Sequence, residues 1–276
     1  CEAEPGSSPL VKTASEWNEV EAHGIWRVEA LYDEEPALET LRKLIEGAQQ
    51  ETGIEPAALA IEPLPDEDWV TRSLEGLEPV RAGRFFVYGS HDADRVPPGR
   101  IALLIEAAVA FGTGHHGTTL GCLRALDRLA DQGFVARNTA DIGCGTGVLA
   151  MAAASLWPYP VIASDIDAVA VEVAAANAGV NGLGARVECI EAAGFDHPRI
   201  AARAPFDLIL ANILKGPLIE LAPEMGRHAA PGGRVILSGL LVTQADSVLA
   251  AYAAAGFTLL HREDIGDWST LVLQKG

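Results

Sequence analysis

From Thr139 to the C-terminus the chain alternates between short strand-like runs and helix-like runs, and few architectures can accommodate that pattern. "TADIG" (139–143) reads as a strand entering a glycine turn, and "VLAMAAASL" (148–156) as a helix. "PVIASD" (160–165) is a strand and "AVAVEVAAANA" (168–178) a helix, with Asn181-Gly182 placed to end it. "RVECI", "FDLILAN" and "GGRVILSG" read as further strands. "PLIELAPEM" reads as a helix that Pro223 is expected to bend or break. "AYAAAGF" closes a helix at Gly256, and "TLLHRE" with "STLVLQ" form a closing pair of strands. Such alternation predicts an α/β fold: a Rossmann-like, mostly parallel sheet with helices on both faces. Sheets of this kind bind ligands beyond the carboxyl ends of their strands.

The front of the chain reads differently. A strand is expected over 25–32, a helix over 35–52 with Leu38, Leu41, Leu44 and Ile45 on one face, and a strand over 57–63. That is a small two-layer α+β unit. "EPLPDEDW" follows, and its prolines mark a boundary. Asp66 is placed to cap a short helix running from Trp69 to Leu77, and "VPPG" (96–99) reads as a turn.

Charge separates the same two parts. Residues 1–68 hold 17 Asp and Glu against 4 Lys and Arg, while residues 69–276 hold 21 against 16. An acidic front repels a phosphate backbone, so direct nucleic-acid binding is not expected there; it could attract a basic protein, with solubility the plainer reading of the charge. No apolar run reaches the ~18–20 residues of a membrane span, and no basic-then-apolar leader opens the sequence. Cysteines 1, 122, 144 and 189 form no CxxC pair. That fits a reducing cytoplasm better than a disulfide framework.

The polar residues at the expected strand ends indicate the chemistry. "DIGCGTG" (141–147) lets the backbone turn tightly and approach a ligand. A dinucleotide fingerprint would need glycine at 143, 145 and 148, but position 148 is Val148. Asp141 would oppose a pyrophosphate and suits a cationic ligand. Asp165 comes 22 residues after Gly143, at the end of the next strand, where an acid can accept both ribose hydroxyls. Asp167 is better placed to cap the following helix. Together these features indicate an adenosine-bearing ligand without phosphates, namely S-adenosylmethionine. Asp141 could face its amine, directly or through water, and the N–H groups of the loop through Gly145 its carboxylate. Asn212 ends the fourth strand, where its amide oxygen can accept from an incoming amine and orient it; a turn-forming asparagine is the plainer alternative.

"AFGTGHHGTT", "DIGCGTG", "SDID", "FDLILANIL" and "GGRVILSGLL", in this order, resemble the bacterial ribosomal protein L11 methyltransferase family from about Asp68 onward. The resemblance implies an N-terminal substrate-recognition domain (1–65), a linker with a short helix (66–79) and a seven-stranded class I methyltransferase domain (80–276). It implies transfer of methyl groups from S-adenosylmethionine to lysine ε-amines and the N-terminal α-amine of that large-subunit ribosomal protein. Carried over by motif, Thr119, Gly143, Asp165 and Asn212 are the implied cofactor contacts. "FGTGHHGTT" (111–119) is then a wrap-around loop over the methionine end. Phe111 could cover an apolar part of the site, Thr119 contact the ligand through hydroxyl or backbone, and His116 brace the loop. The adjacent His115 and His116 also suggest a metal, but no third ligand stands at a readable spacing, so none is expected.

Three other readings compete, one of them a non-catalytic binding module that keeps the fold but has lost activity, against which intact Gly143, Asp165 and Asn212 argue. A same-fold methyltransferase could act on another protein or a small molecule. A nicotinamide-dependent oxidoreductase is a different class, against which Val148 and Asp141 both argue.

Overall fold

The computed structural model describes residues 37–53, 79–105 and 116–276. The strands expected at 25–32 and 57–63, the helix over 69–77, and Phe111 and His115 lie outside the described residues. The chain divides into two units, Cys1–Glu67 and Asp68–Gly276. In the first, helix α1 (Leu38–Thr52) ends at Gly53, whose positive φ of 69° turns its N–H back to the Gln49 carbonyl at 2.8 Å.

The second unit opens with a three-stranded sheet that the sequence reading did not anticipate. Strand β1 (Val80–Ala82) pairs antiparallel with β2 (Phe85–Tyr88), and β2 pairs parallel with β3 (Ile101–Leu104). Helix α2 (His116–Asp131) packs against β1 and the larger sheet.

The remaining elements follow in the order read from the sequence, with one helix, Pro198–Arg203, that the sequence reading did not include. They are β4 (Thr139–Ile142), α3 (Val148–Leu156), β5 (Val161–Asp165), α4 (Ala168–Val180), β6 (Val187–Glu191), α5 (Pro198–Arg203) and β7 (Phe206–Asn212). After them come α6 (Lys215–His228), β8 (Ala229–Leu241), α7 (Ala245–Ala254), β9 (Phe257–Ile265) and β10 (Trp268–Lys275). Of the two outcomes expected at Pro223, a break does not occur: α6 runs from Lys215 to His228 with the proline inside it. Leu218, Ala222 and Met225 are fully buried on its inner face, and that packing outweighs the missing N–H.

The large sheet has seven strands in the order β6-β5-β4-β7-β8-β10-β9. All pairs from β6 to β8 are parallel; β10 is antiparallel to both β8 and β9. Successive residues of a strand face opposite ways, and the core shows it. Leu208, Leu210, Ile236 and Val272 belong to one buried cluster with residues of α2, α3 and α4. Ile209, Ala211, Val235, Leu237, Leu271 and Leu273 belong to the other, with residues of α5, α6 and α7. A fully buried aliphatic side chain contributes about 1.5–3 kcal/mol, so a sheet covered on both faces fixes the height of every strand end.

Candidate active site

Chain direction decides where a ligand can enter. From β4 the chain proceeds to β5 and β6 on one side, then returns to β7 and β8 on the other. The loops leaving β4 and β7 therefore diverge, and a crevice opens between them at their carboxyl ends. A cavity of about 220 Å³ occupies this crevice. The glycine loop and α3 line one wall through Gly143 to Thr146, Val148 and Leu149; Asn212, Ile213 and Leu214 line another. Thr118 and Thr119 of α2, Asp141 and Gly239 complete it.

The glycine loop is held by its own backbone. The N–H groups of Gly143 and Cys144 both donate to the Ser164 carbonyl, at 2.8 and 2.9 Å, and Gly147 donates to Cys144 at 2.8 Å. Gly145 donates to a carboxylate oxygen of Asp165 at 2.8 Å. These four donors are thus committed within the chain, which differs from the expectation that loop N–H groups face a ligand carboxylate. Gly143 contributes instead by lacking a side chain: its φ is 72°, and a Cβ there would lie 2.3 Å from Cγ2 of Ile213.

Asp141 lies beneath the loop and is almost fully buried. Its Oδ2 accepts the N–H of Ala150 at 2.9 Å. Ala150 is the third residue of α3, so this bond satisfies one of the helix's orphan amino-terminal donors. Its Oδ1 is buried without a hydrogen-bond partner among the described residues. Burial pushes this carboxyl up to about 7; the Ala150 bond pulls the other way, and the nearby Asp165 charge adds to the rise. A buried acceptor that borders a cavity and lacks a donor is suited to a cationic or N–H-bearing ligand. Burial also raises the thiols of Cys122 and Cys144, which makes them inert.

Asp165 ends β5, half-buried, but does not line the cavity itself. Its second oxygen accepts the N–H of Asp167 at 3.1 Å. Asp167 caps α4 as expected, accepting from Val169 at 2.9 Å. Asn212 is half-buried at the last position of β7, opposite Ser238 of β8. Thr119 is buried in the first turn of α2, as its fourth residue. His116 opens the same helix.

The structure therefore brings Thr119, Asp141, Gly143, Gly145 and Asn212 to one cavity and sets Asp165 against its loop. The sequence reading missed Thr118, Ile213, Leu214 and Gly239. Of these Thr118 lies within the "FGTGHHGTT" motif, and Gly239 left a sign as a lone glycine in a strand pattern. Among the described residues no group of three or more His, Cys, Asp or Glu side chains is placed to hold a metal ion.

The family model described as ribosomal protein L11 methyltransferase (PrmA) matches residues 6–276. The chain belongs to the ribosomal protein L11 methyltransferase family. A ribosomal protein L11 methyltransferase of Rhodopseudomonas palustris (strain BisB5) is 51% identical over 250 residues, covering 91% of this chain and 84% of that relative. One from Brucella abortus (strain S19) is 54% identical over 211 residues, covering 75% and 74%. The crystal structure of a ribosomal protein L11 methylase from Lactobacillus delbrueckii subsp. bulgaricus superposes with a TM-score of 0.63 at 25% identity, over 72% of this chain and 99% of that one. A member of the L11 methyltransferase family has to bring a methyl donor and its acceptor together, and the crevice between the ends of β4 and β7 is the candidate place.

Proposed function

We propose that this chain transfers methyl groups from S-adenosylmethionine to amines of ribosomal protein L11, both lysine ε-amines and the N-terminal α-amine. The observation that carries the reading is the orphaned, buried Oδ1 of Asp141 at the cavity wall. It fits the protonated amine of the methionine moiety and opposes the pyrophosphate of a nicotinamide cofactor. S-adenosylmethionine supplies a methyl group on a positive sulfonium, an electrophile that needs only a neutral nucleophile held in line.

The residues have separate tasks. Asp165 holds the ribose hydroxyls and the glycine loop at once. Gly143 and Gly145 leave room for the ligand. Thr119 contacts it from the first turn of α2, and Phe111 covers its apolar part. Asn212 accepts from the incoming amine and orients it. An unperturbed lysine titrates near ~10.4, so the site must receive the minority neutral amine, with its proton released to solvent. Orientation and exclusion of water supply the rate; correct positioning is worth up to ~7–11 kcal/mol. The acidic residues 1–65 form the recognition domain for the basic ribosomal protein, 66–79 the linker and 80–276 the catalytic domain, acting in the cytoplasm where ribosomes assemble.

The test is incubation with methyl-labelled S-adenosylmethionine and purified L11, followed by peptide mapping. Label on lysines and the amino terminus is expected. Uptake of the nucleoside by calorimetry with no labelled L11 would transfer the activity to another substrate; no uptake would end the cofactor assignment.

A further inference from the structure

Ile213 lies between two positions that have no side chain. On one side is Gly143, where a Cβ would come 2.3 Å from Cγ2 of Ile213. On the other is Gly239 of β8, whose φ is 83° and whose added Cβ would lie 2.4, 2.8 and 2.9 Å from the O, C and N atoms of Ile213. The first encounter is with the end of a flexible side chain. The second is with backbone, which cannot rotate away. Gly239 directly follows Ser238, the register partner of Asn212, and itself lines the cavity. Ser238 is fixed in turn: fully buried, its hydroxyl donates to the Ser269 carbonyl and pairs with the Thr270 hydroxyl, both at 3.0 Å. β8 is thus a rigid floor, and the Ile213 peptide rests on it at Gly239, where the floor carries no side chain.

We infer that Gly239 is a positioning residue for methyl transfer: its missing side chain sets the depth of the Asn212–Leu214 backbone, and so the place where the Asn212 amide holds the substrate amine. This rests on the proposed role of Asn212. A methyl group at 239 would lift the Ile213 peptide and carry Asn212 with it, while Asp141 and Asp165, on other strands, would stay in place.

Gly239→Ala also strains a positive-φ residue, so a control must share the strain alone. Gly232 of the same strand has a φ of 74°, and nothing lies within 4 Å of a Cβ built there. Gly232→Ala, Gly239→Ala and Asn212→Ala are to be compared in the full chain. The readouts are kcat, KM for L11, S-adenosylmethionine affinity by calorimetry, melting temperature, and the Ile213 backbone amide resonance in the cofactor-free protein. For Gly239→Ala we expect a shifted Ile213 resonance, kcat reduced about tenfold or more, and cofactor affinity within about threefold of the parent. For Gly232→Ala we expect only a lower melting temperature. Unchanged kcat in Gly239→Ala beside a large loss in Asn212→Ala would overturn the inference alone, as would equal kcat losses in the two glycine variants. Unchanged kcat in Asn212→Ala would overturn the role of Asn212 on which it rests.

Discussion

One oxygen of Asp141 accepts the backbone N–H of Ala150 at 2.9 Å, and the other is buried with no partner among the described residues. The fold uses half of this carboxylate to begin α3 and leaves the other half to the cavity. With its pKa raised to about 7, chiefly by burial, the folded chain keeps a proton that the unfolded chain releases near ~3.9. Its contribution to stability is therefore fully present at low pH and is lost as pH rises through about 7. A cationic ligand reverses the preference by favouring the ionised form. Affinity for S-adenosylmethionine should accordingly increase about tenfold from about pH 5.5 to about pH 7.5, and Asp141→Asn should flatten the profile. Calorimetry across that range checks both; a profile unchanged by the substitution would remove Asp141 from ligand binding.

Replacing Asn212 with Ala should act on turnover rather than on the cofactor. The side chain ends β7 beside the glycine loop and can accept from an amine. We expect kcat to fall about a hundredfold, as for other losses of orientation, with cofactor affinity nearly unchanged. Equal losses in both would make Asn212 a binding residue only.

The large sheet was legible because its elements keep a clean period. "VLAMAAASL" corresponds to α3 and "FDLILAN" to β7 without a residue's difference. The small sheet was not legible, because strands of 3 or 4 residues such as Val80–Ala82 and Phe85–Tyr88 are too short for alternation to register. At Pro223 the helix is not broken, because the burial of its inner face outweighs the missing N–H. The site divides in the same way. Asp141, Gly143, Asp165 and Asn212 could be found because polar and glycine residues at strand ends stand out from their surroundings. Ile213 and Leu214 could not, because each is an ordinary apolar residue until the fold sets it at the cavity. The commitment of the loop N–H groups to Ser164 and Asp165 was equally hidden, since it depends on how close β5 lies to the turn.

Asp165 and Asp167 differ in what they hold. Asp165 holds the N–H groups of Gly145 and Asp167; Asp167 holds Val169 and begins α4. On the proposed role of Asp165 as ribose acceptor, Asp165→Ala removes hydrogen bonds to a charged group worth about 1.5–3 kcal/mol each. The dissociation constant for S-adenosylmethionine should rise roughly 10- to 100-fold. Asp167→Ala should instead cost about 1 kcal/mol of stability through the lost cap, with little change in affinity. Parallel calorimetry and denaturant melts distinguish the two; matched affinity losses would mean that both carboxylates touch the ligand.

Asn181 joins the small sheet to the large domain. Its Oδ1 accepts the N–H of Leu104 at 2.8 Å, and its Nδ2 donates to the Leu104 carbonyl at 2.7 Å and to the Asn177 carbonyl at 2.8 Å. The amide imitates a neighbouring strand for the last residue of β3. Asn181→Ala would take this partner from the Leu104 N–H and carbonyl, at a cost of about 1–3 kcal/mol for each one that stays buried, while the Asn177 carbonyl keeps the backbone N–H of residue 181 at 3.1 Å. Asn181→Asp should cost more than its small change in shape suggests, because it keeps the acceptor for Leu104 N–H but sets a carboxylate oxygen against the Leu104 carbonyl. Both variants should lower the denaturation midpoint, and faster hydrogen exchange should appear first at Leu104 and Ile105, ahead of the strands of the large sheet. A uniform rise in exchange across both sheets would show that Asn181 supports global stability and does not specifically hold the end of β3.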